Sequence, residues 1–347
     1  MLEPVWERIG SQTPQLSVLM PVYRTPGFVT EAVQSVLEQQ DIILEIFISD
    51  DASGDGTLPA ALAAAKAYTG PHTVRVFRTR RRLAMDHLGA LVAVARCDFM
   101  IEAHGDDLSP PGRMAKLLAH HRETGASLVT SLALDLRRGV PTAQAMPHGL
   151  AAGMQPPDVA VQPHPDILQG ARYGFHRIIY AAFPPLTARY LPRGHDVLQA
   201  FRAQLTGGVY LSAEPLLIRR HHPDQWSRRL WDKRMPPADR FGYALSRLGI
   251  LAVMRSELQH FESAHPGGAD TRTLADFIAA DERVLLDELL TARHKLRRHG
   301  FEPQWRTLDE IAAGNVARLP WPPPKRRSRS LLHRVARRLK RLIAPLT

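Results

Sequence analysis

Apolar runs and helical patterns alternate along the first 125 residues, and this alternation restricts the possible fold more than any other feature of the chain. Four short runs rich in Val, Ile, Leu and Phe are each followed by apolar residues at helical spacing. Such alternation is typical of parallel strands joined by right-handed crossover helices. We therefore predict an α/β fold with a mostly parallel sheet flanked by helices. The predicted strands cover residues 16–22, 42–49, 73–77 and 99–102.

Pairs of acidic residues follow two of these predicted strands. Asp50 and Asp51 come after the second strand, and Asp106 and Asp107 come after the fourth. Because the carboxyl ends of parallel strands lie at one edge of a sheet, both pairs can face the same ligand. Adjacent carboxylates repel each other unless a cation or a proton lies between them. The alternative is that each pair belongs to a solvated turn and caps the helix that follows.

The loop after Asp51 does not match two common phosphate-binding loops. No Gly-Lys-Ser/Thr follows, as a Walker loop requires. Gly54 and Gly56 lack the third glycine of a dinucleotide fingerprint, and the neighbouring acids would repel a pyrophosphate. Acids at this place suit the edge of a uracil or ribose, or a metal ion.

Basic residues are concentrated near the end of the chain. Residues 325–347 contain nine Lys and Arg residues and no acidic residue, so they hold most of the formal net charge of +11. A protein that binds nucleic acid would present its basic residues over a folded face. We therefore predict no nucleic-acid partner.

Three features lead us to expect a cytoplasmic protein. The single cysteine, Cys97, cannot form an internal disulfide. No apolar run approaches the roughly 18 residues of a membrane span. The first residues lack the basic-then-apolar layout of a signal peptide.

The segment LSVLMPVYRTPGFVTEAVQSVLEQQ and the later LEIFISDDASGDGT together resemble the opening of the family 2 glycosyltransferases, which have a nucleotide-binding GT-A fold. That family typically shows an apolar strand, Pro-Val-Tyr, a helix with Ser-Val-Leu-x-Gln, and then Asp-Asp-x-Ser-x-Asp-Gly-Thr. The resemblance covers residues 16–227 and implies a nucleoside-diphosphate sugar as donor. It also implies that Pro21, Tyr23 and Asp50 line the nucleotide pocket and that Asp51 supports it.

The stretch from His104 to Asp107 falls on the Asp-x-Asp-Asp motif of that family and departs from it at the first acid. The resemblance implies that Asp106 is a ligand of Mg²⁺ or Mn²⁺ on the diphosphate and that Asp107 belongs to the donor-binding set. His104 is placed in the same set. Two outcomes stay open for it: a contact to ribose or phosphate in place of the acid, or a metal that is held more weakly.

Residues 194–227 resemble the second landmark of the family, in which an acid precedes a helix and a later histidine lies near the diphosphate. This match implies that Asp196 is the general base, at the start of a helix ending near Leu205, and that His222 belongs to the metal site. The alternatives are a helix cap for Asp196 and a surface position for His222. The family often shows Glu-Asp where this chain has His195 and Asp196, which is a second departure.

The sequence also predicts the local structure of three further segments. The stretch 78–88 is rich in arginine, and we favour a solvated loop over a phosphate contact. Residues 135–162 are rich in Pro, Gly and Ala and indicate a long loop over the site. Residues 172–183 indicate a strand or sheet edge that carries Phe175 and Tyr180.

We expect four parts in this chain. They are an N-terminal tail at 1–14, a GT-A domain at 15–235, an appended helical region at 236–318, and a proline-rich linker with a basic tail at 319–347. Within the tail, residues 330–344 predict a basic amphipathic helix that suits anionic lipid headgroups at the inner face of the membrane. The alternative is a tail that is docked on the body or disordered.

The first function hypothesis is an inverting glycosyltransferase that moves a hexosyl group to a saccharide or lipid-linked acceptor in cell-surface polysaccharide or glycolipid synthesis. A sugar nucleotidyltransferase is an alternative, although no glycine- and lysine-rich triphosphate loop lies near Leu16. A non-catalytic GT-A protein that binds a nucleotide sugar is another, and His104 and His195 are its best support.

Overall fold

The computed structural model describes residues 2–161, 167–185, 195–222, 237–265 and 271–297. The strands within these ranges are β1 (Leu2–Arg8), β2 (Leu16–Val22), β3 (Leu44–Asp50), β4 (Thr73–Thr79), β5 (Phe99–Glu102), β6 (Leu128–Arg137), β7 (Val140–Ala143), β8 (Gly153–Met154), β9 (Gly174–His176) and β10 (Val209–Arg220). The helices are α1 (Val29–Leu37), α2 (Thr57–Ala67), α3 (Met85–Val94), α4 (Arg113–Thr124), α5 (Pro157–Val161), α6 (Ile178–Ala181), α7 (His195–Thr206), α8 (Pro237–Ala264) and α9 (Arg272–Arg297).

The described strands form one ten-stranded sheet in the order β1-β4-β3-β2-β5-β9-β6-β10-β8, with β7 paired to β6. Strands β2 to β6 and β10 all run in one direction, and the other four run against them. The prediction of a mostly parallel sheet is therefore confirmed. The four predicted strands correspond to β2, β3, β4 and β5, and their predicted bounds differ from the observed ones by two residues or fewer.

Helices cover both faces of the sheet. Alternate residues of its central strands point to opposite sides, so each strand contributes to two apolar layers. Val18 and Met20 pack in one apolar layer with α1, α2 and α4. Leu19 packs in the other layer with Phe47 of β3 and with residues of α3 and α7. Burial on both faces explains why β2 and β3 are almost continuously apolar rather than alternating with polar residues.

Two segments differ from their predicted structure. The stretch 135–162, predicted as a long loop, contains the end of β6 together with β7, β8 and α5. Pro, Gly and Ala occur both in the turns and within these short elements, for example Pro141 in β7 and Gly153 in β8, and they conceal the strand pattern. The stretch 172–183, predicted as a strand, holds Phe175 on the short β9 but Tyr180 on α6. The turn between them is set by tertiary contacts of Arg177, which donates hydrogen bonds to the carbonyls of three residues before β5.

The first residues of the chain also differ from the sequence interpretation. Within the segment 1–14, predicted as a tail, β1 pairs antiparallel to β4 at the edge of the sheet. Trp6 of this strand packs against the apolar core, which gives the segment a reason to be ordered. It is therefore an edge strand. The predicted domain boundaries at residues 235 and 318 stay predictions.

The predicted C-terminal helical region contains α8 and α9, which form an apolar cluster with α7. The buried Arg202 of α7 pairs with the buried Glu257 of α8. The helical region therefore contacts α7 through an ion pair as well as through apolar side chains. Among the described residues, no helix has the length and apolar character needed to cross a membrane. The predicted linker and the basic tail at 330–344 lie outside the described residues.

Candidate active site

The two acidic loops lie at the same edge of the sheet. Strand β2 is between β3 and β5, and all three are parallel, so the loops that follow β3 and β5 both emerge at the carboxyl edge beside the end of β2. A cavity of about 260 Å³ lies there. Its lining residues come from four segments of the chain: Pro21, Tyr23, Thr25, Ala84, Leu88, Glu102, His104, Gly105, Asp106 and His195.

Four of the predicted site residues line this cavity together, namely Pro21, Tyr23, His104 and Asp106. The loop that carries the last two approaches β2 closely at Gly105. A Cβ atom on Gly105 would lie 2.7 Å from the Thr25 hydroxyl oxygen and 2.9 Å from a methyl carbon of Val22. Only glycine therefore lets this loop lie against the end of β2.

The predicted residues Asp50 and Asp51 are buried beside the cavity rather than in its lining. Asp50 Oδ2 accepts a hydrogen bond from the Ser53 backbone N–H at 3.0 Å, whereas Asp50 Oδ1 is buried without a hydrogen-bond partner. Asp51 accepts hydrogen bonds from the backbone N–H groups of Leu83 and Ala84, at 2.6 and 2.8 Å. Asp51 thus holds the loop between β4 and α3 against the cavity, and Asp50 keeps one carboxylate oxygen available for a donor group.

The arginine-rich stretch 78–88, which covers the end of β4, the loop that follows and the start of α3, divides into two parts. Arg78 and Arg80 both pair with Glu3 of β1, away from the cavity. The guanidinium carbon of Arg82 lies 4.2 Å from the centre of the Tyr23 ring, in a cation–π contact. Arg82 is nevertheless exposed, as the prediction of a solvated loop expects, and the backbone hydrogen bonds to Asp51 hold its loop beside the cavity.

His104, Asp106 and Asp107 form a cluster that fits a divalent cation. One ligand atom from each residue lies within 4.8 Å of the other two, and carboxylate oxygens are the ligands that Mg²⁺ and Mn²⁺ prefer. Burial and the neighbouring charge of Asp106 raise the pKa of Asp107 to about 6. The pair therefore favours a proton or a cation beside it.

Two histidines adjust the charge of this cluster. His222, predicted as part of the metal site, lies with Nε2 3.1 Å from Asp106 Oδ2. Burial acts against ionisation of Asp106, yet the hydrogen bond with His222 and the nearby His104 lower its pKa. For His104, burial is outweighed by the bond to Glu102 and by the nearby carboxylates, which raise its pKa to about 9.

Glu102 is a residue of the cavity that the sequence analysis missed. It is the last residue of β5, its residue exposure is 1%, and its Oε1 lies 2.8 Å from Nε2 of His104 and 3.8 Å from Nε2 of His195. Despite burial, the contacts with these two histidines hold the pKa of Glu102 well below its usual range. The available signal was a single acid at the end of an apolar strand, directly before the His104 loop.

The predicted base Asp196 lies in the first turn of α7, as the sequence analysis expected. One of its carboxylate oxygens accepts a hydrogen bond from the backbone N–H of Val197 at 3.1 Å, and burial raises the pKa of this carboxyl group. Asp196 is not among the cavity-lining residues, whereas His195 is. The first turn of α7 therefore places His195 in the lining of the cavity, and Asp196 is the next residue along the helix.

A larger groove of about 820 Å³ lies at the opposite, amino edge of the sheet, beside residues 9–15 and the starts of β3, β4 and β5. Its buried acid, Glu45, is already paired with Arg75 at 2.6 Å and with Arg96 at 3.1 Å. Sites in open α/β sheets form outside the carboxyl ends of the strands. The smaller cavity, with its carboxylate pair, is therefore the better candidate for the chemistry.

Part of the chain is similar in sequence to known proteins. Residues 17–135 match the model of "Glycosyl transferase family 2". The chain is 32% identical over 122 residues to EpsE of Bacillus subtilis, which is named as a glycosyltransferase; the match covers 33% of this chain and 44% of that protein. An uncharacterized protein of Mycobacterium tuberculosis is 32% identical over 110 residues, covering 31% of this chain and 33% of its own length. The chain thus matches less than half of either relative.

Two solved structures share the fold. TarS residues 1–349 of S. aureus, in complex with UDP-GlcNAc, has a TM-score of 0.54 and 14% identity, covering 87% of this chain and 88% of that one. The mannosyltransferase PcManGT of Pyrobaculum calidifontis, in complex with GDP-Man and Mn²⁺, has a TM-score of 0.51 and 16% identity, covering 88% and 81%. The predicted GT-A architecture is therefore confirmed.

Proposed function

We propose that the protein transfers a hexosyl group from a nucleoside-diphosphate sugar to a hydroxyl acceptor, with inversion at the anomeric carbon; the match of residues 17–135 to the model of glycosyl transferase family 2 supports this proposal. The observation that carries the proposal is the cavity at the carboxyl edge. There the Tyr23 ring and the Asp106 and His104 side chains face one space, which the Asp50 loop adjoins.

The nucleoside part of the donor binds on the Tyr23 side of the cavity. An aromatic ring offers a stacking face to a nucleobase, and the unpartnered Asp50 Oδ1 can accept a hydrogen bond from a base or ribose donor. Arg82, already in contact with Tyr23, adds positive charge at this end. TarS and PcManGT were solved with nucleotide sugars, which supports this donor class.

The diphosphate part lies toward Asp106 and Asp107. These carboxylates, with His104 as a third neighbour, would hold Mg²⁺ or Mn²⁺, with His222 orienting Asp106. Such a cation would supply positive charge to the phosphate oxygens as the leaving group forms. PcManGT was solved with Mn²⁺, which supports this cofactor.

The transfer itself needs a proton acceptor beside the attacking hydroxyl group. The hydroxyl oxygen bonds to the anomeric carbon, and the bond from this carbon to the diphosphate oxygen breaks, so that the nucleoside diphosphate leaves with the electron pair. The carboxylate of Asp196 takes up the hydroxyl proton. Its raised pKa makes it a better base than an ordinary aspartate near neutral pH.

The acceptor that we propose is a saccharide or a lipid-linked sugar used in cell-surface polysaccharide or glycolipid synthesis. The name of EpsE, a glycosyltransferase, supports the transfer of a sugar. The basic tail at 330–344 would bring the protein to an anionic membrane surface, where lipid-linked acceptors are found.

The test is turnover of nucleotide sugars by the purified full-length protein, with and without Mn²⁺ or Mg²⁺. We expect metal-dependent release of nucleoside diphosphate, and transfer once an acceptor is supplied. Asp196→Asn should lower the transfer rate by roughly 100- to 10,000-fold. An Asp98→Asn variant, changed at an exposed aspartate on the opposite edge, should behave as wild type.

Two outcomes would contradict the proposal. Binding of nucleotide sugars without turnover would favour a non-catalytic nucleotide-sugar-binding protein. Release of pyrophosphate from a nucleoside triphosphate and a sugar phosphate would favour a nucleotidyltransferase. If Asp196→Asn turns over as fast as wild type, the assignment of the base is wrong.

A further inference from the structure

Glu102 is a buried carboxylate at the floor of the cavity that the proposed reaction does not use. The fold leaves room for it at one particular place. A Cβ atom on Gly170 would lie 2.5 Å from Glu102 Oε1, so the turn that contains Gly170 accommodates the carboxylate only because it has no side chain there. Burying a charged group is costly unless it has partners, so its partners indicate what it does.

Those partners are two imidazoles from different parts of the chain. His104 comes from the loop after β5, and its Nε2 lies 2.8 Å from Glu102 Oε1. His195 comes from the start of α7, and its Nε2 lies 3.8 Å from the same oxygen. Glu102 therefore joins the loop of the candidate metal cluster to the helix of the proposed base.

The contact with His195 is not yet a hydrogen bond, although both sides have an atom available for one. Glu102 Oε2 and His195 Nε2 are both buried without hydrogen-bond partners. Hydrogen bonds of this kind are often long in ligand-free proteins and shorten when the substrate binds. Shortening of the 3.8 Å contact with the Glu102 carboxylate would give His195 Nε2 a hydrogen-bond acceptor.

The orientation of His195 follows from this pairing. The side chain is 22% exposed, but its Nε2 is buried, so the part of the ring that faces the cavity does not include Nε2. A carboxylate that accepts a hydrogen bond from one nitrogen of an imidazole sets the tautomer and the orientation of the ring. Nδ1 is then the nitrogen left for a ligand: it accepts a hydrogen bond from a sugar hydroxyl when the ring is neutral and donates one when the ring is protonated.

We propose that Glu102 is a positioning residue that holds His195 so that its imidazole meets a sugar hydroxyl group in the cavity. The hydroxyl belongs either to the transferred sugar or to the acceptor, since both would occupy this cavity. The inference rests on the proposed function for the identity of the ligand. The pairing of Glu102 with His195 does not depend on it.

The kinetic test is a double-mutant cycle with Glu102→Gln, His195→Gln and the double variant. If Glu102 acts through His195, each single change should lower kcat/KM by about 10- to 100-fold, and the double variant should lose little more than His195→Gln alone. Glu45→Gln is the matched control, because Glu45 is an equally buried, ion-paired glutamate at the opposite edge of the sheet. It should keep wild-type kinetics.

Two arms of the assay identify which hydroxyl group is bound. Hydrolysis of the donor without acceptor should be impaired in His195→Gln if His195 binds the transferred sugar. If His195 binds the acceptor, hydrolysis of the donor should be unchanged in His195→Gln and only the transfer should be impaired. Effects of Glu102→Gln and His195→Gln that simply multiply in the double variant would overturn the positioning role.

A measurement without turnover separates this inference from the proposed function. In full-length protein with ¹⁵N-labelled histidine, the ring signals of His195 are identified by their loss in His195→Gln. We expect Glu102→Gln to shift these signals and Glu45→Gln to leave them in place. Unshifted signals would overturn the inference even if the protein proves to be a glycosyltransferase, and shifted signals would support it even if no nucleotide sugar is turned over.

Discussion

Asp106 and Asp107 are adjacent in sequence, but their pKa values are shifted in opposite directions. Asp107 is buried and Asp106 is half-buried, which disfavours their charged forms. His222 and His104 outweigh this effect for Asp106 and lower its pKa, whereas Asp107 is left with burial and the charge of Asp106, which raise its pKa to about 6. Asp106 is therefore the carboxylate that is ionised over the widest pH range, and the one best suited to hold a cation.

Replacement of Asp106 by Asn should weaken Mn²⁺ binding by at least about 10-fold, because a neutral amide replaces the ionised ligand of the cluster. Titration of the full-length protein with Mn²⁺, followed by calorimetry or by the electron paramagnetic resonance signal of the free ion, would measure this. Asp98→Asn, at the opposite edge of the sheet, is the control and should bind as wild type does. Equal affinities for the two variants would remove Asp106 from the metal site.

Helix α7 connects the cavity to the C-terminal helices. Its first turn carries His195 and Asp196, and its middle carries Arg202, which is 1% exposed. Arg202 Nε donates to both carboxylate oxygens of Glu257 on α8, at 3.0 and 3.1 Å, and its other nitrogens donate to the backbone carbonyls of Ile179 and Pro184. The position of α7, and with it the proposed base, therefore depends on α8.

Replacement of Glu257 by Ala should lower the free energy of unfolding by about 3–5 kcal/mol, because it leaves the buried guanidinium of Arg202 without its counter-charge. Urea unfolding followed by circular dichroism would measure the loss. Glu214→Ala is the control: Glu214 pairs with Lys116, but both side chains are about half exposed, and such pairs contribute at most about 1 kcal/mol. Similar losses in the two variants would mean that the buried pair does not stabilise the contact between α7 and α8.

The stability of the whole molecule should depend on pH through His72, a buried histidine near the start of β4. Its Nδ1 accepts a hydrogen bond from the Leu44 N–H at 3.4 Å, and its Nε2 lies 3.1 Å from the Gln39 carbonyl oxygen. Burial lowers the pKa of His72 below the ordinary value of 6.5, although the bond to Gln39 acts in the other direction. The folded protein therefore binds a proton at His72 less readily than the unfolded chain does.

We expect the free energy of unfolding to decrease as the pH falls below about 6.5. In this range the unfolded chain binds a proton at His72 more readily than the folded protein does, so the contribution is complete above pH 6.5 and decreases as the pH falls below it. Urea unfolding at pH 7.5 and 5.5 would measure the decrease, which should be smaller in His72→Gln. His148→Gln, changed at an exposed histidine, should keep the wild-type decrease. An unchanged decrease in His72→Gln would contradict the prediction.

The distribution of charge leads to a prediction for the full-length chain. With nine basic residues and no acidic one after residue 324, the end of the chain should bind anionic membranes through electrostatic attraction and a buried apolar face. Full-length protein should co-sediment with vesicles of mixed phosphatidylglycerol and phosphatidylcholine, and a chain that stops before Lys325 should not. Phosphatidylcholine vesicles are the control. Equal sedimentation of the two chains would contradict the prediction.

The sequence by itself determined the parallel sheet, its helices and the meeting of the two acidic loops. These follow from local patterns: buried parallel strands are apolar throughout, and the carboxyl ends of parallel neighbours lie at one edge. The family resemblance placed Tyr23 and Asp106 at one site, and both line the cavity: Tyr23 directly follows β2, and Asp106 lies in the loop after β5.

Only the tertiary structure decided which residues far apart in sequence contact each other, at the cavity and along α7. The pairing of Glu102 with His195, the contact of Arg82 with Tyr23 and the bond between Arg202 and Glu257 each join segments that no local pattern links. The strand β6 and its parallel partner β10 likewise depend on where the chain returns after α7. Such contacts are set by the packing of the whole core and by the need to give each buried charge a partner, and neither is written in the spacing of neighbouring residues.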